Sequence, residues 1–412
     1  MQANTPSILR PALSLSKKLL YVAVAGTVAF TSCKKEPGVE PTPTTPVVQP
    51  LTLNESIKVN TELVDRIADP ELPDYIVSKN IAVGAELTIR PGVVIAFDRD
   101  VRMDINADGL VIAQGTAAKK IRFIGLQKTK GFWAGIANYS RSNANIFEHV
   151  DVMHAGSRTI FSTTKSGMFI SGSQSQFAFK HTTFSQNDGY GLYVYDGGIL
   201  REFSQNAFTS NTEAGIMVDG ANVVKLDAGS TFTGGNGRNV VDVTSGGIRS
   251  SNDVVWTGFA DKTPYRISGD FAVEAAWILN PGVTLEMNRD AVIRINTGGY
   301  LLAKGTPTSK ITFTGATRTA GFWRGIICYS ADSKNLIENA AISYAGSNVI
   351  VSGKKANLAI YGNRATMTIQ NTQISNSGGY GLFVSYGASV NTDVTTANSF
   401  ESNAQTNVMI EK

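Results

Sequence analysis

Short apolar segments recur along most of the chain and are separated by glycine, asparagine and aspartate. The segments LTI (from Leu87), VVIAF (from Val93), VRMDI (from Val101) and IRFIG (from Ile121) alternate apolar and other residues over three to five positions. A period of two is typical of a β-strand, because successive side chains point to opposite faces of a sheet. No stretch beyond residue 50 keeps a helical period. The pattern therefore predicts an all-β chain of short strands.

A longer period runs through the middle of the chain. Three sets of residues recur at intervals of 24, one aromatic, one aliphatic and one amide, namely Phe184, Phe208 and Phe232; Leu192, Ile216 and Val240; and Asn187 and Asn211. Repeats of this length indicate stacked units, and a repeat built from short strands alone makes one coil of a parallel β-helix. The inward side chains would stack in columns, and each asparagine amide would pair with the next. About 14 coils would make a rod roughly 65–70 Å long.

The chain also contains a duplication with a constant offset of 190, which takes Tyr75 to Tyr265. Residues 75–157 align with residues 265–347 without a gap, and 33 of the 83 positions are identical. This predicts two repeats, residues 75–264 and residues 265–412, with the second cut short by the C-terminus and a break between them near residues 246–264. Residues 51–74 are the predicted N-terminal cap.

The most similar stretches of the two copies are GFWAGIANYS, from Gly131, and GFWRGIICYS, from Gly321. Gly131 and Gly135 would permit the backbone angles of a tight corner, and Trp133 would supply apolar bulk for packing. We therefore interpret the decapeptide as a structural corner that occurs twice. A duplicated aromatic that stacks on a sugar is the alternative.

Residues 1–33 have the pattern of an export signal. Basic residues precede the apolar run LLYVAVAGTVAF, from Leu19, and small residues precede Cys33. This end resembles the lipobox of bacterial lipoproteins, in which the cysteine is diacylated. The resemblance implies a signal peptide at residues 1–32 and an acylated Cys33 with a Pro/Thr-rich tether over residues 33–50. The protein would then be anchored by lipid in the cell envelope, at the outer membrane and exposed at the surface. An ordinary secreted protein with an incidental cysteine is the alternative.

Charge and cysteine content exclude several classes of protein. The chain has 37 basic and 33 acidic residues, and removal of Arg10, Lys17 and Lys18 with the signal leaves 34 and 33, a net charge of +1. No basic stripe alternates with aromatic residues, so nucleic acid is not an expected partner. If Cys33 carries lipid, Cys328 has no partner for a disulfide and is expected to be buried filler.

The motifs resemble the right-handed parallel β-helix, or pectin-lyase-like, superfamily, and most closely its lipoproteins of the Bacteroidetes group. The pattern LTIxPGVVIxF lies at residues 87–97, GxLxAxGT begins at Gly109 and WxGI at Trp133, and all three return in the second copy. The likeness covers nearly all of residues 75–412. It implies the fold directly. For activity it implies two enzyme types, hydrolases with clustered aspartates and Ca²⁺-dependent lyases.

Candidate site residues cluster between residues 188 and 242. Asp196, Asp219 and Asp242 are spaced by 23, and together they could begin a Ca²⁺ site, although aspartate beside glycine is also ordinary turn chemistry. Expected surface aromatics that could stack on sugar rings fall around GYGLYV and its twin GYGLFV, and are Tyr190, Tyr193, Tyr195, Tyr380 and Phe383. The three histidines, His149, His154 and His181, are not kept in the second copy. No cofactor other than this candidate Ca²⁺ is expected.

Three functions remain open at this point. The favoured one is a non-catalytic binding or adhesive module for an extended ligand such as a polysaccharide or another cell-surface component. The second is a polysaccharide lyase or a glycoside hydrolase with a site around residues 188–242. The third is a structural spacer or adhesin.

Overall fold

The computed structural model describes residues 48–412 except residues 161, 196 and 251. Within these residues the chain forms forty short strands and one 3₁₀ turn (Val223–Lys225). No helix among them is long and apolar enough to span a membrane. The predicted signal peptide, Cys33 and most of the predicted tether lie outside the described residues.

The strands occur at short intervals along the chain. The first twenty-three are β1 (Leu51–Thr52), β2 (Thr61–Leu63), β3 (Tyr75–Val77), β4 (Ile81–Val83), β5 (Glu86–Ile89), β6 (Val94–Phe97), β7 (Arg102–Ile105), β8 (Leu110–Gln114), β9 (Ile121–Gly125), β10 (Gly135–Asn138), β11 (Ile146–Glu148), β12 (Val150–Met153), β13 (Ser166–Ile170), β14 (Gln176–Lys180), β15 (Thr183–Ser185), β16 (Tyr190–Val194), β17 (Ile199–Ser204), β18 (Ala207–Thr209), β19 (Ala214–Val218), β20 (Thr231–Gly234), β21 (Arg238–Val243), β22 (Gly246–Ile248) and β23 (Val254–Trp256). The remainder are β24 (Tyr265–Ile267), β25 (Asp270–Val273), β26 (Ala276–Leu279), β27 (Thr284–Met287), β28 (Val292–Ile295), β29 (Tyr300–Lys304), β30 (Ile311–Gly315), β31 (Gly325–Cys328), β32 (Leu336–Glu338), β33 (Ala340–Ser343), β34 (Ala356–Ile360), β35 (Thr366–Gln370), β36 (Gln373–Ser375), β37 (Tyr380–Val384), β38 (Ser389–Val390), β39 (Ser399–Glu401) and β40 (Val408–Ile410).

The strands pair in parallel and form five sheets. Sheet A is β1-β3-β6-β9-β12-β15-β18-β20, and sheet B runs through both repeats from β4 to β39 with thirteen strands. Sheet C is β2-β5-β8-β11-β14-β17, sheet D is β22-β25-β28-β31-β34-β37-β40, and sheet E is β23-β26-β29-β32-β35-β38. Along the chain, successive strands go to three different sheets before the first sheet is reached again. The chain is therefore a rod of stacked coils, as predicted.

The coils differ in length. The predicted period of 24 is confirmed between Met168 and Ile216, which both pair with Leu192. A shorter coil runs from Tyr75 to its partner Ile95, and a longer one runs from Ile112 to its partner Ile146. The longer coil has longer connections between its strands, over residues 115–120, 126–134 and 139–145.

The prediction that Val240 belongs to the aliphatic column is wrong. Ile216 pairs with Val241 and not with Val240, because the register between β19 and β21 shifts by one residue after Ala214. Since side chains alternate across a strand, this shift turns Val241 into the core and Val240 to the opposite face.

The predicted aromatic and asparagine columns are confirmed in the core. The rings of Phe184 and Phe208 stack at 5.2 Å and those of Phe208 and Phe232 at 5.1 Å. Asn187 Nδ2 donates to Asn211 Oδ1 at 3.0 Å. The amide ladder continues to a third member, Asn236, whose Oδ1 accepts from Asn211 Nδ2 at 2.9 Å.

The duplicated decapeptide forms two equivalent corners, as the structural interpretation predicts. Trp133 is fully buried and its Nε1 donates to Met153 O at 2.7 Å, while Trp323 makes the same bond to Ser343 O at 2.7 Å. Gly135 has a φ of +111°. A Cβ there would come within 2.8 Å of two backbone oxygens of the next coil, so only glycine fits this close approach.

The second repeat is displaced by one sheet relative to the first. β24, the counterpart of β3 from sheet A, pairs with β21 in sheet B. The counterparts of sheet B strands then form sheet D, and those of sheet C strands form sheet E. Sheet C ends at β17 and sheet A at β20, and sheets D and E begin at β22 and β23, close to the break predicted at residues 246–264.

Residues 51–74 form the first coil and a loop. β1 pairs with β3, Ile57 bridges to Val83, and β2 pairs with β5. The buried carboxylate of Asp74 accepts hydrogen bonds from Arg66 N at 2.6 Å and Ile67 N at 2.7 Å. We call residues 64–73 the N-terminal loop, and these bonds fix one end of it against sheet A.

Glu71 fixes the other end of the N-terminal loop. Its carboxyl group leads to a prediction of how this attachment depends on pH. Hydrogen bonds from Lys128 Nζ, at 2.5 Å, and Arg122 Nη1, at 2.9 Å, lower the pKa of Glu71 from 4.5 to about 2. A lowered pKa means that this attachment is complete above pH 4.5 and is lost as the pH falls toward 2. We expect Lys128→Ala to raise the pKa of Glu71 toward 4.5 in an NMR titration of its carboxyl carbon. Lys130→Ala, at a neighbouring exposed lysine, should leave it unchanged, and an unchanged value in Lys128→Ala would contradict the assignment.

Candidate functional site

Most of the predicted site residues lie on the outer face of sheet B in the first repeat. Leu192 and Val194 of β16 point into the core, so Tyr193 points outward. Phe169 of β13 and Met217 of β19 are the direct neighbours of Tyr193 in the sheet. Tyr193 and Phe169 pack together with Ala137, with Tyr195 and Met217 alongside. We call Phe169, Tyr193, Tyr195 and Met217 the aromatic surface.

Loops cover part of the aromatic surface and of its counterpart on sheet D. Ile160 packs against the first, and Ile350 and Val351 pack against the second. As a result Tyr193 is 5% exposed and Phe383 is fully buried. The prediction that these two residues are surface aromatics is therefore wrong, because the loops between the coils lie over them. Burial raises the pKa of Tyr193 to about 12, with a smaller contribution from Tyr195.

Tyr190 belongs to a charged cluster at one edge of the aromatic surface. Its hydroxyl donates to Asp242 Oδ2 at 3.1 Å, and Arg238 Nη2 donates to the same oxygen at 2.7 Å. Arg238 also pairs with Glu213. Desolvation and the Asp242 charge raise the pKa of Tyr190, so it stays neutral at physiological pH. Tyr190 and Glu213 line a cavity of about 230 Å³ with Lys165 and Asp188.

The acidic column predicted as a Ca²⁺ site does not form between Asp219 and Asp242. Asp242 pairs with Met217, two residues before Asp219. The predicted spacing of 23 is one residue short of the period of 24, and the register shift that moves Val240 adds the second residue. Asp219 Oδ1 accepts from the backbone N of Asn222 at 2.8 Å and from its Nδ2 at 3.0 Å. Asp196 lies outside the described residues. No group of three or more His, Cys, Asp or Glu side chains in the described part of the chain is arranged to hold a metal ion.

A second cavity, of about 510 Å³, opens at the other edge of the aromatic surface. It is lined by residues that follow the ends of four successive strands, β16, β19, β21 and β24. We call these residues, Tyr195, Asp219, Thr244 and Ser268, the polar edge. Backbone bonds hold them in register, for example Thr244 N to Val218 O at 2.9 Å. Sequence patterns indicated Tyr195 and Asp219 but not Thr244 and Ser268, which stand in irregular turns.

A comparison with protein families gives the handedness of the rod. Residues 131–229, which carry the whole aromatic surface and part of the polar edge, match the family model described as the right handed beta helix region. The fold is a right-handed parallel β-helix. No curated protein and no solved structure matches the chain significantly.

The histidines occupy corners of the β-helix. The rings of His149 and His181 stack at 4.5 Å with an angle of 6° between their planes. Both residues have a φ near +49°, and so do their counterparts Asn339 and Asn371. Asparagine and histidine are among the residues that best tolerate this conformation, so the positions serve the corner of the coil. Sequence reasoning missed the pair because the coil from His149 to His181 is longer than the predicted period.

Proposed function

We propose that the protein is a surface-tethered lipoprotein of the cell envelope whose β-helix binds an extended polysaccharide without cleaving it. The polar edge carries this proposal. It puts an aromatic ring, a carboxylate and two hydroxyls along one cavity that crosses four successive coils. The predicted acylation of Cys33 would supply the attachment to the membrane, and the Pro/Thr-rich tether would hold the β-helix away from it.

The lining of this cavity has the composition that sugars require. Aromatic rings offer an apolar face to a sugar ring, and hydroxyl and carboxylate oxygens bind its hydroxyl groups. Adjacent strands are about 4.8 Å apart, so the polar edge extends roughly 14 Å along the rod. A ligand that contacts all four coils must therefore be extended and must lie parallel to the axis.

The same cavity offers little for bond cleavage. Its described lining residues include one carboxylate, Asp219, and no basic side chain. A glycoside hydrolase needs two carboxyl groups about 5–9.5 Å apart, and a lyase needs a base near the uronate. One observation supports the alternative that the protein cleaves its ligand. The 230 Å³ cavity is lined by both Asp188 and Glu213, and Lys165 Nζ lies 2.7 Å from Asp188. A hydrolase or lyase acting there is the second candidate function.

The proposal predicts that Tyr195→Ala weakens polysaccharide binding. A glycan array would identify a ligand for the purified protein, and titration calorimetry would compare the variants. We expect the dissociation constant to rise about tenfold, since a lost ring contact is worth about 1–1.5 kcal/mol. The control is Tyr386→Ala, at a tyrosine that is 77% exposed in the second repeat and should not affect binding. Equal weakening in both variants, or no bound glycan, would contradict the proposal.

The same titrations distinguish binding from cleavage. The array ligands are incubated with the protein with and without Ca²⁺, and new reducing ends and the ultraviolet absorbance of unsaturated uronate are followed. We expect neither to increase. An increase that is lost in Glu213→Gln would establish the second candidate function in place of the first.

A further inference from the structure

A different face of the β-helix carries a cavity larger than the two described above. This cavity, of about 680 Å³, lies on the outer side of sheet A between the N-terminal loop and the corner before β9. A second cavity of about 310 Å³ adjoins it, because Pro70, Arg122 and Asp151 line both. We call the two together the loop cleft. It lies on another sheet than the polar edge.

Cationic side chains outnumber acidic ones in the loop cleft. Its lining contains five basic residues, Arg66, Lys119, Lys120, Arg122 and Lys128, and three acidic residues, Asp65, Glu71 and Asp151. The cleft therefore carries an excess of two positive charges. A cleft lined mainly by one sign of charge concentrates ligands of the opposite sign.

Two lysines of the loop cleft keep donors for a ligand. Lys119 Nζ lies 3.0 Å from Asp65, and Lys120 Nζ lies 2.9 Å from Asp151. Their side chains are 64% and 37% exposed, so each ammonium group still reaches solvent. An ammonium group has three N–H donors, and one carboxylate does not use them all. An anionic group placed between the two lysines could accept charge-assisted hydrogen bonds from both.

The second repeat shows that the coil does not require these charges. Lys119, Arg122 and Asp151 correspond to Ser309, Thr312 and Ala341, whereas Lys120 and Lys128 correspond to basic residues, Lys310 and Arg318. The strands are nevertheless the same, since β30 and β33 have the lengths of β9 and β12. The strands therefore do not depend on Lys119, Arg122 or Asp151 for their length.

The floor of the smaller cavity of the loop cleft is apolar. Val94, Ala96 and Ile124 form a small cluster on the outer face of sheet A, with Met153 packed against it. Ile124 and Met153 line the smaller cavity beside Arg122 and Lys128. An apolar floor with a cationic rim suits a ring that has one apolar face and one anionic substituent.

We propose that the loop cleft is a binding site for an acidic saccharide, one that carries a carboxylate or phosphate group. The ring lies on the apolar residues of the smaller cavity, and the anion reaches into the larger one, where it binds Lys119 and Lys120. The site is independent of the polar edge, and the protein could use either without the other.

The test compares acidic and neutral sugars on the full chain in mild detergent. The probes are an oligogalacturonate, its methyl ester, glucose 6-phosphate and inorganic phosphate, each titrated by calorimetry at low and high salt. We expect the oligogalacturonate or the sugar phosphate to bind, the methyl ester not to bind, and salt to weaken binding. The double variant Lys119→Gln/Lys120→Gln should lower the affinity at least tenfold, because it removes both charge-assisted hydrogen bonds to the anion. Lys310→Gln is the matched control and should bind normally.

Three results would overturn the assignment. They are no binding of either acidic sugar, equal affinity in the double variant, and binding of inorganic phosphate without either sugar. Tyr195→Ala should leave the loop cleft unaffected, which separates this test from that of the polar edge. Circular dichroism of the double variant checks that it folds, and Lys120→Gln alone repeats the test if it does not.

Discussion

Replacing Trp133 by alanine should lower the free energy of unfolding by about 4 kcal/mol, the typical cost of removing a large buried aromatic. The side chain is fully buried, its Nε1–H is bonded to Met153 O, and its ring stacks on Phe97 at 4.1 Å. Alanine would leave a cavity at the corner and an unpaired buried carbonyl. Denaturant unfolding followed by far-UV circular dichroism would measure the loss.

The second copy provides the comparison for Trp133. Trp323 is equally buried and makes the equivalent bond, but Met287 stands where the first copy has Phe97. Trp323→Ala should therefore cost slightly less, by the ~0.5–1.5 kcal/mol of an aromatic pair. Tyr139→Ala, in the same decapeptide but 38% exposed, should cost under about 1 kcal/mol. A loss below about 1 kcal/mol in Trp133→Ala would favour the ligand interpretation of the decapeptide.

Replacing Asn211 by alanine should cost about 3 kcal/mol, because it breaks the amide ladder at its middle member. Asn211 Nδ2 donates to Phe184 O at 3.0 Å and to Asn236 Oδ1 at 2.9 Å, and its Oδ1 accepts from the backbone N and from Nδ2 of Asn187. Alanine leaves these buried groups without partners, and each unsatisfied group costs about 1–3 kcal/mol. Native-state hydrogen exchange would show the loss in the coils on both sides.

Two further substitutions test the reason for this loss. Asn211→Asp keeps the shape but replaces the Nδ2 donor by an oxygen that faces two acceptors, so it should destabilise more than alanine. Asn143→Ala, at an exposed asparagine, should change stability by less than about 0.5 kcal/mol. If Asn143→Ala and Asn211→Ala have similar effects, the ladder contributes nothing beyond an ordinary turn.

The fold could be predicted because the side chains that stack in its core recur at regular intervals along the sequence. Phe184, Phe208 and Phe232 stack because coils of equal length bring them to the same place, and the duplicated Trp133 and Trp323 mark equivalent corners. The predicted columns failed where the register departed from the period of 24. The one-residue shift after Ala214 moved Val240 out of its column, and together with the spacing of 23 it left Asp242 two residues away from Asp219.

The candidate sites were harder to predict than the fold. Burial of Tyr193 and Phe383 depends on loops from a neighbouring coil, which no local pattern indicates. Thr244 and Ser268 join the polar edge through the register of strands that are far apart in sequence. The loop cleft needs the N-terminal loop to fold back over β9, and the buried bonds of Asp74 that hold it there cross from one coil to the next.

The second repeat is displaced by one sheet, and this limits which faces of the two repeats a single extended ligand can contact. A straight polymer ligand that lies along sheet B would pass the Tyr193 face in the first repeat. In the second repeat it would then meet strands that are equivalent to those of sheet A. The counterpart of that face, around Phe383, lies on sheet D. A single ligand strand therefore cannot gain avidity from both copies. Because Tyr193 and Phe383 are also buried, the duplication repeats the coil and not a continuous binding face.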